Sequence, residues 1–244
     1  MKKRLLAASL VLTMAVVTTG QAAILATYTM DTFTGTNPSR SFLSTDADVF
    51  SVASNLSPSV TLQGLVSGQP MSGSSATGNL SNGIFTRPPE SYAGSYWEFT
   101  VTPDPTHKLA LTKLSFDWTM SSLGSSTHAG YENITGSVFV GNSVVGFPVS
   151  SPTPTDSMVI PRLTATVTPW RTVTLDLSAP TFQNLATATT FRIYNWDNSE
   201  ANDTGSVMRF DNVKLEGLSV PEPTSLSLLG LGAAGLLLRR RKQA

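Results

Sequence analysis

The body of the chain alternates between apolar and polar residues. Trp97, Phe99 and Val101 share one parity, and Tyr96, Glu98 and Thr100 take the other. Leu114, Phe116 and Trp118 alternate with Ser115, Asp117 and Thr119. Val173, Leu175 and Leu177 alternate with Thr172, Thr174 and Asp176, and Phe191 and Ile193 with Thr190 and Arg192. A period of two with one polar face predicts half-buried antiparallel strands on a common core. Further strands are expected over 134–140, 159–167 and 207–215, about ten in all. No amphipathic helix is visible between the termini.

Two of these patterns change face partway. Leu109 and Leu111 share a parity that Leu114 breaks, and Met208 and Phe210 share one that Val213 and Leu215 break. One extra residue in a strand shifts every later side chain to the other face, so bulges are predicted near Thr112-Lys113 and near Asp211-Asn212. Gly- and Ser-rich residues 64–83 are expected to form a long loop, and 150–155 (SSPTPT) a second break. No internal repeat is evident, which weighs against a propeller or a β-solenoid. The expected fold is an all-β antiparallel β-sandwich, with a jelly roll as the expected arrangement, flanked by an N-terminal signal helix and a C-terminal hydrophobic helix.

The C-terminus departs from this pattern. Pro221-Glu222-Pro223 is followed by an uncharged run and then by Arg239, Arg240, Arg241 and Lys242. As a helix, 226–238 rises about 20 Å against a hydrocarbon core of about 30 Å, so 224–238 makes a short membrane segment whose basic end snorkels to the cytoplasmic headgroups. A core helix is the alternative, but a helix of this size packed on a core should carry a polar face, and this one has none. Triplet, apolar run and Arg cluster in this order resemble the PEP-CTERM sorting tail of Gram-negative bacteria, over roughly the final tenth of the chain. That resemblance implies processing by an exosortase near the triplet and a destination at the cell surface or in the extracellular matrix.

The other end carries a matching signal. Lys2, Lys3 and Arg4 precede the apolar stretch 5–17, and Gly20-Gln21-Ala22 offers small residues to a signal peptidase. A permanent N-terminal anchor is the alternative, and the stretch is short for one. The expected organisation is a signal peptide at 1–23, a β-sandwich domain at 24–218 and a sorting tail at 219–244. Once the targeting segments are set aside, residues 24–220 hold nine basic and fifteen acidic residues, a formal net charge of −6. Such a body offers no phosphate-tracking patch, so nucleic acid is not an expected partner. The chain has no Cys, so a hydrophobic core must stabilise it without disulfides. Residues 182–217, which include Phe191-Arg192-Ile193-Tyr194 and Asp211-Asn212-Val213, are similar to the closing part of many PEP-CTERM surface proteins, whose domains resemble carbohydrate-binding jelly rolls.

Candidate chemistry is sparse. His107 and His128 fall in expected loops and form no metal motif. Gly141-Asn142-Ser143-Val144-Val145-Gly146 misses the hydrolase elbow spacing by one residue. Glu98 and Asp117, with Glu132 near, are the candidate carboxylate pair for glycoside chemistry. Asp197, Asn198, Glu200 and Asp203 group hard oxygen donors suited to calcium, Asp46 and Asp48 form a smaller cluster, and the jelly-roll likeness adds Asp31 and Asp211. Ordinary Asx-turn chemistry is the alternative for all of them. Tyr92, Tyr96, Tyr131, Tyr194 and Trp196 are candidates for an outward-facing glycan platform. Tyr194 and Trp196, beside the acidic loop, are the preferred ligand-binding pair, while Trp97, Phe116 and Trp118 read as core. Three functions fit: a non-catalytic surface or matrix protein that binds exopolysaccharide, a secreted carbohydrate-active enzyme, and an ice- or surface-adhering protein. No recurring Thr-x-Thr ladder supports the third, and the absence of a catalytic motif favours the first.

Overall fold

The computed structural model describes residues 22–29, 33–34, 41–58, 73–77, 96–122, 133–147, 153–161, 166–167, 169–197 and 206–222. These residues form an all-β sandwich of two antiparallel sheets, with a separate two-stranded ribbon that pairs 33–34 with 41–42. In chain order the strands are β1 (Ala23–Tyr28), β2 (Phe33–Thr34), β3 (Ser41–Phe42), β4 (Ser51–Ala53), β5 (Ser57–Pro58), β6 (Gly73–Thr77) and β7 (Tyr96–Pro103). They continue with β8 (His107–Ser122), β9 (Asn133–Asn142), β10 (Asp156–Pro161), β11 (Thr166–Val167), β12 (Arg171–Asp176), β13 (Thr189–Asp197) and β14 (Ser206–Pro221). A 3-10 turn at Pro180–Phe182 precedes β13. The signal-peptide segment, the membrane segment 224–238 and Arg239 to Arg241 lie outside the described residues. Among the described residues no helix is long and apolar enough to cross a membrane.

The first sheet is centred on β14 and β8, paired along most of their sixteen residues. β1 and β6 share the free edge of β14, and β12 and β11 share that of β8. The second sheet runs β10-β9-β13-β7, with β4 and β5 sharing the outer edge of β7. The expected alternation holds. Trp97, Phe99 and Val101 of β7, Phe191 and Ile193 of β13, and Leu114, Phe116 and Trp118 of β8 join one buried cluster between the sheets. Each such side chain removed from water contributes about 1.5–3 kcal/mol before conformational entropy is charged against it.

Both expected bulges are present. On β14 the register slips between Asp211 and Lys214, and Asn212 takes φ 50°, a left-handed conformation that Asn tolerates better than most residues. On β8 it slips at Thr112, between the partners of Glu216 and Gly217. Leu109 and Leu111 are thereby buried on the same face as Leu114, and Phe210 on the same face as Val213 and Leu215. Beside the second bulge the sheet needs a glycine. A Cβ on Gly217 would sit 2.7 Å from the Ala110 carbonyl oxygen and 2.8 Å from Leu25 Cδ1.

Three expectations are corrected. The 64–83 stretch is not wholly loop: residues 73–77 form β6 against β14. The strand expected over 159–167 is two strands in different sheets, β10 beside β9 and β11 beside β8. His107 is not a loop residue. It opens β8 and stacks on Phe50, with ring centroids 4.0 Å apart.

The two long sides of the sandwich close differently. On one, the buried Trp118 indole N–H reaches across the core to Asp156 Oδ2 at 2.8 Å, and Arg171 of β12 pairs with the same carboxylate at 2.8 Å. On the other, residues 41–58 run from β1 to β7. The Thr45 amide donates to the Thr27 carbonyl, the Ser54 amide to the Thr100 carbonyl, and the Tyr28 hydroxyl to the Ser54 carbonyl at 2.6 Å.

Candidate functional site

The outer face of the second sheet carries aromatic side chains where a solvated strand face would carry Ser or Thr. Tyr96 and Glu98 have the opposite parity to Trp97 and Phe99, and Arg192 and Tyr194 the opposite parity to Phe191 and Ile193, so all four point away from the core. Pairing of β13 with β7 sets Arg192 opposite Glu98 and Tyr194 opposite Tyr96. Arg192 Nε lies 2.6 Å from Glu98 Oε2. Its guanidinium also lies over the Tyr96 ring at 4.1 Å and the Phe147 ring at 3.9 Å. Tyr96 and Tyr194 meet edge to face at 5.4 Å. Burial opposes the charge on Arg192, but the Glu98 carboxylate beside it keeps the guanidinium pKa above its ordinary value. Burial likewise pushes the Tyr194 hydroxyl up.

This face is accessible only in part. Tyr194 is 2% exposed and packs with Phe139 and Tyr96 in a small cluster separate from the core. The Arg192 and Glu98 side chains remain 26% and 36% exposed. Tyr194 therefore points away from the core but is buried, not exposed as a platform residue would be, and Tyr96, Glu98 and Arg192 form the accessible part of the patch. Trp196 continues the β13 line opposite Ser137, and its side chain, like Tyr92 and Tyr131, lies outside the described residues. The sequence read Tyr194 and Trp196 as the key pair and Glu98 only as a candidate partner of Asp117, and it missed Arg192 and Phe147. Parity alone places Arg192 and Glu98 outward, but only the strand register brings them together.

The candidate carboxylate pair is split by the core. β7 and β8 are not neighbours within a sheet. Trp97 and Phe99 enter the core from one sheet, and Phe116 and Trp118 enter it from the other. Glu98 and Asp117, of opposite parity, therefore project from opposite faces of the sandwich. Asp117 accepts hydrogen bonds from Thr172 Oγ1 at 2.5 Å and Asn212 Nδ2 at 2.9 Å. Glu132 and His128 lie outside the described residues.

The proposed calcium ligands are only partly in view. Asp31, Asn198, Glu200, Asp203 and the side chain of Asp197 lie outside the described residues. Asp197 ends β13 opposite Gly136 in the second sheet. Asp211 lies opposite Asp117 in the first. Among the described residues no group of three or more His, Asp or Glu is arranged to hold a metal ion. Asp46 and Asp48 serve local structure. Asp46 Oδ1 accepts the Asp48 amide at 2.8 Å, and Asp48 Oδ2 accepts the hydroxyls of Ser51 and Ser219. Asp46 Oδ2 is buried and accepts no hydrogen bond from the protein. Burial, with the nearby Asp48 charge, raises the Asp46 pKa even though the Asp48 and Ala53 amides oppose the shift.

At the end of β14 the chain enters the Pro-Glu-Pro triplet. Pro221 is the register partner of His107, the Glu222 amide donates to the Thr106 carbonyl at 2.9 Å, and the Glu222 carboxylate lies 3.7 Å from Lys108 Nζ. Pro223 lies outside the described residues. Residues 219–242 match the PEP-CTERM protein-sorting motif. No curated protein and no solved structure matches the chain. The matched segment implies processing by exosortase, and hence an exported protein sorted to the cell surface that carries a β-sandwich domain.

Proposed function

We propose that this exported sandwich is a non-catalytic binding module of the cell surface or extracellular matrix, and that it recognises exopolysaccharide through the outer face of its second sheet. One observation carries the reading: the Tyr96–Arg192–Glu98 patch, an aromatic ring beside a fixed donor and a fixed acceptor. Sugars present an apolar ring face and equatorial hydroxyls, which such a patch matches. The neighbour orders β1-β14-β8-β12 and β10-β9-β13-β7 alternate chain segments between the sheets, which supports a jelly-roll arrangement. The separation of Glu98 from Asp117 by the whole core supports a module without glycosidase chemistry, since that reaction needs two carboxylates flanking one bond.

A glycan array probed with the protein in the presence of calcium, and again with chelator, tests this reading. The expected result is binding to a subset of polysaccharides that Tyr96→Ala abolishes. Binding that Tyr96→Ala and Arg192→Ala both leave intact would place recognition elsewhere. Retention of the signal after chelation would remove calcium from the account.

A further inference from the structure

The last strand and the sorting motif are one piece of chain. β14 stays paired with β8 as far as Pro221, whereas the motif match begins at residue 219. The shared residues are held from several sides. The Ser219 hydroxyl donates to Asp48. Val220 pairs with Lys108, and Pro221 with His107. His107 is itself braced by its stack on Phe50. Glu222 is fastened twice, by its amide to Thr106 and by its carboxylate to Lys108. An enzyme that grips the Pro-Glu pair meets a peptide whose backbone and acidic side chain are already engaged.

We propose that the folded body latches its own sorting signal, so that exosortase captures residues 219–222 only in molecules whose β14 end has frayed away from β8. The latch is weak. Lys108 and Glu222 are about one-third exposed, and such pairs are screened by solvent. Pro221 donates no ladder hydrogen bond. The expected effect is slowed processing of the folded protein, not a block. A further consequence is spatial: the body is joined to the tail without a spacer, so the enzyme works directly against the end of the sandwich that carries exposed Val49, Phe50 and Val220.

A removable lock tests the latch. The chain has no Cys, and the register partners Lys108 and Val220 suit a disulfide, since directly opposed antiparallel residues lie about 4.5–5.5 Å apart at Cα. The full chain carrying Lys108→Cys and Val220→Cys is purified in detergent, oxidised, and incubated with exosortase-bearing membranes, with cleavage followed by mass spectrometry. The locked chain is expected to stay uncut and to be processed once reduced. Equal rates for the oxidised and reduced forms would overturn the proposal. A gentler pair keeps the test open if the double variant fails to fold. Lys108→Ala is expected to be processed about two- to fivefold faster than wild type. Lys113→Ala, which loses a pairing with Glu216 on the same two strands, is expected to match wild type. Equal rates for the two Lys variants would contradict the latch.

Discussion

The two outer faces of the sandwich come from the same alternating pattern and differ in what fills it. On the first sheet, Lys113 and Lys214 converge on Glu216 Oε1 at 3.1 and 2.8 Å, and Asp117 takes its hydrogen bonds from Thr172 and Asn212. The hydrogen bond from Lys214 is the main reason the Glu216 carboxyl sits below its ordinary pKa. These are the short-range polar contacts of a solvated strand face. On the second sheet the equivalent positions hold Tyr96, Tyr194 and an arginine between two rings. Aromatic area on an outward face is not needed to close the core, which Trp97, Phe99, Phe116 and Trp118 already fill. The contrast directs the functional reading to the second sheet.

The largest break of this comparison is in the core the faces share. Trp118 is fully buried and tethered to Asp156. Trp118→Ala should cost about 3–5 kcal/mol, read as a lowered denaturation midpoint, and should disturb both faces together. Gly217→Ala comes next, at about 1–3 kcal/mol, because the new methyl meets backbone at Ala110. A smaller change separates the faces. Arg192→Ala on the second sheet should cost about 1–2 kcal/mol, since it removes a cation from between two rings and strands part of Glu98. Lys214→Ala on the first should stay within about 0.5 kcal/mol. Equal costs would mean the faces are not different in kind.

The smallest expected effect lies at the edge made by residues 41–58, and its sign is opposite. The Asp46 pKa is raised, so the folded state holds that proton more tightly than the unfolded chain does, and the ionised carboxylate weakens folding at neutral pH. Asp46→Asn keeps an acceptor for the Asp48 amide and removes the charge. It should raise Tm slightly at pH 7. The gain should fade as pH falls through the folded-state value of Asp46 and be absent below about 4, the ordinary Asp value. Melting curves across that range check the sign.

Much of the fold was legible because alternation is a local signal. Parity breaks at Leu114 and Val213 located both bulges before any partner strand was known. What failed depended on pairing partners. Residues 73–77 (GSSAT) have little strand propensity, and they form β6 only because β14 offers a free edge. The stretch 159–167 looks continuous, but its two ends pair with different sheets. Glu98 and Asp117 were candidates for a pair because each is a polar-face carboxylate, and nothing local reveals that their faces point in opposite directions. The sorting signal was the most legible part, since its three pieces are contiguous in sequence and need no fold to be recognised.

Calorimetric titration of the purified protein with a polysaccharide it retains on the array tests the central claim most directly, with the two faces altered one at a time. Tyr96→Ala is predicted to weaken binding at least fivefold, as expected for loss of a ring worth about 1–3 kcal/mol in stacking, while Lys214→Ala leaves the affinity at the wild-type value. Loss of affinity in Lys214→Ala with full retention in Tyr96→Ala would contradict the assignment of the binding face to the second sheet.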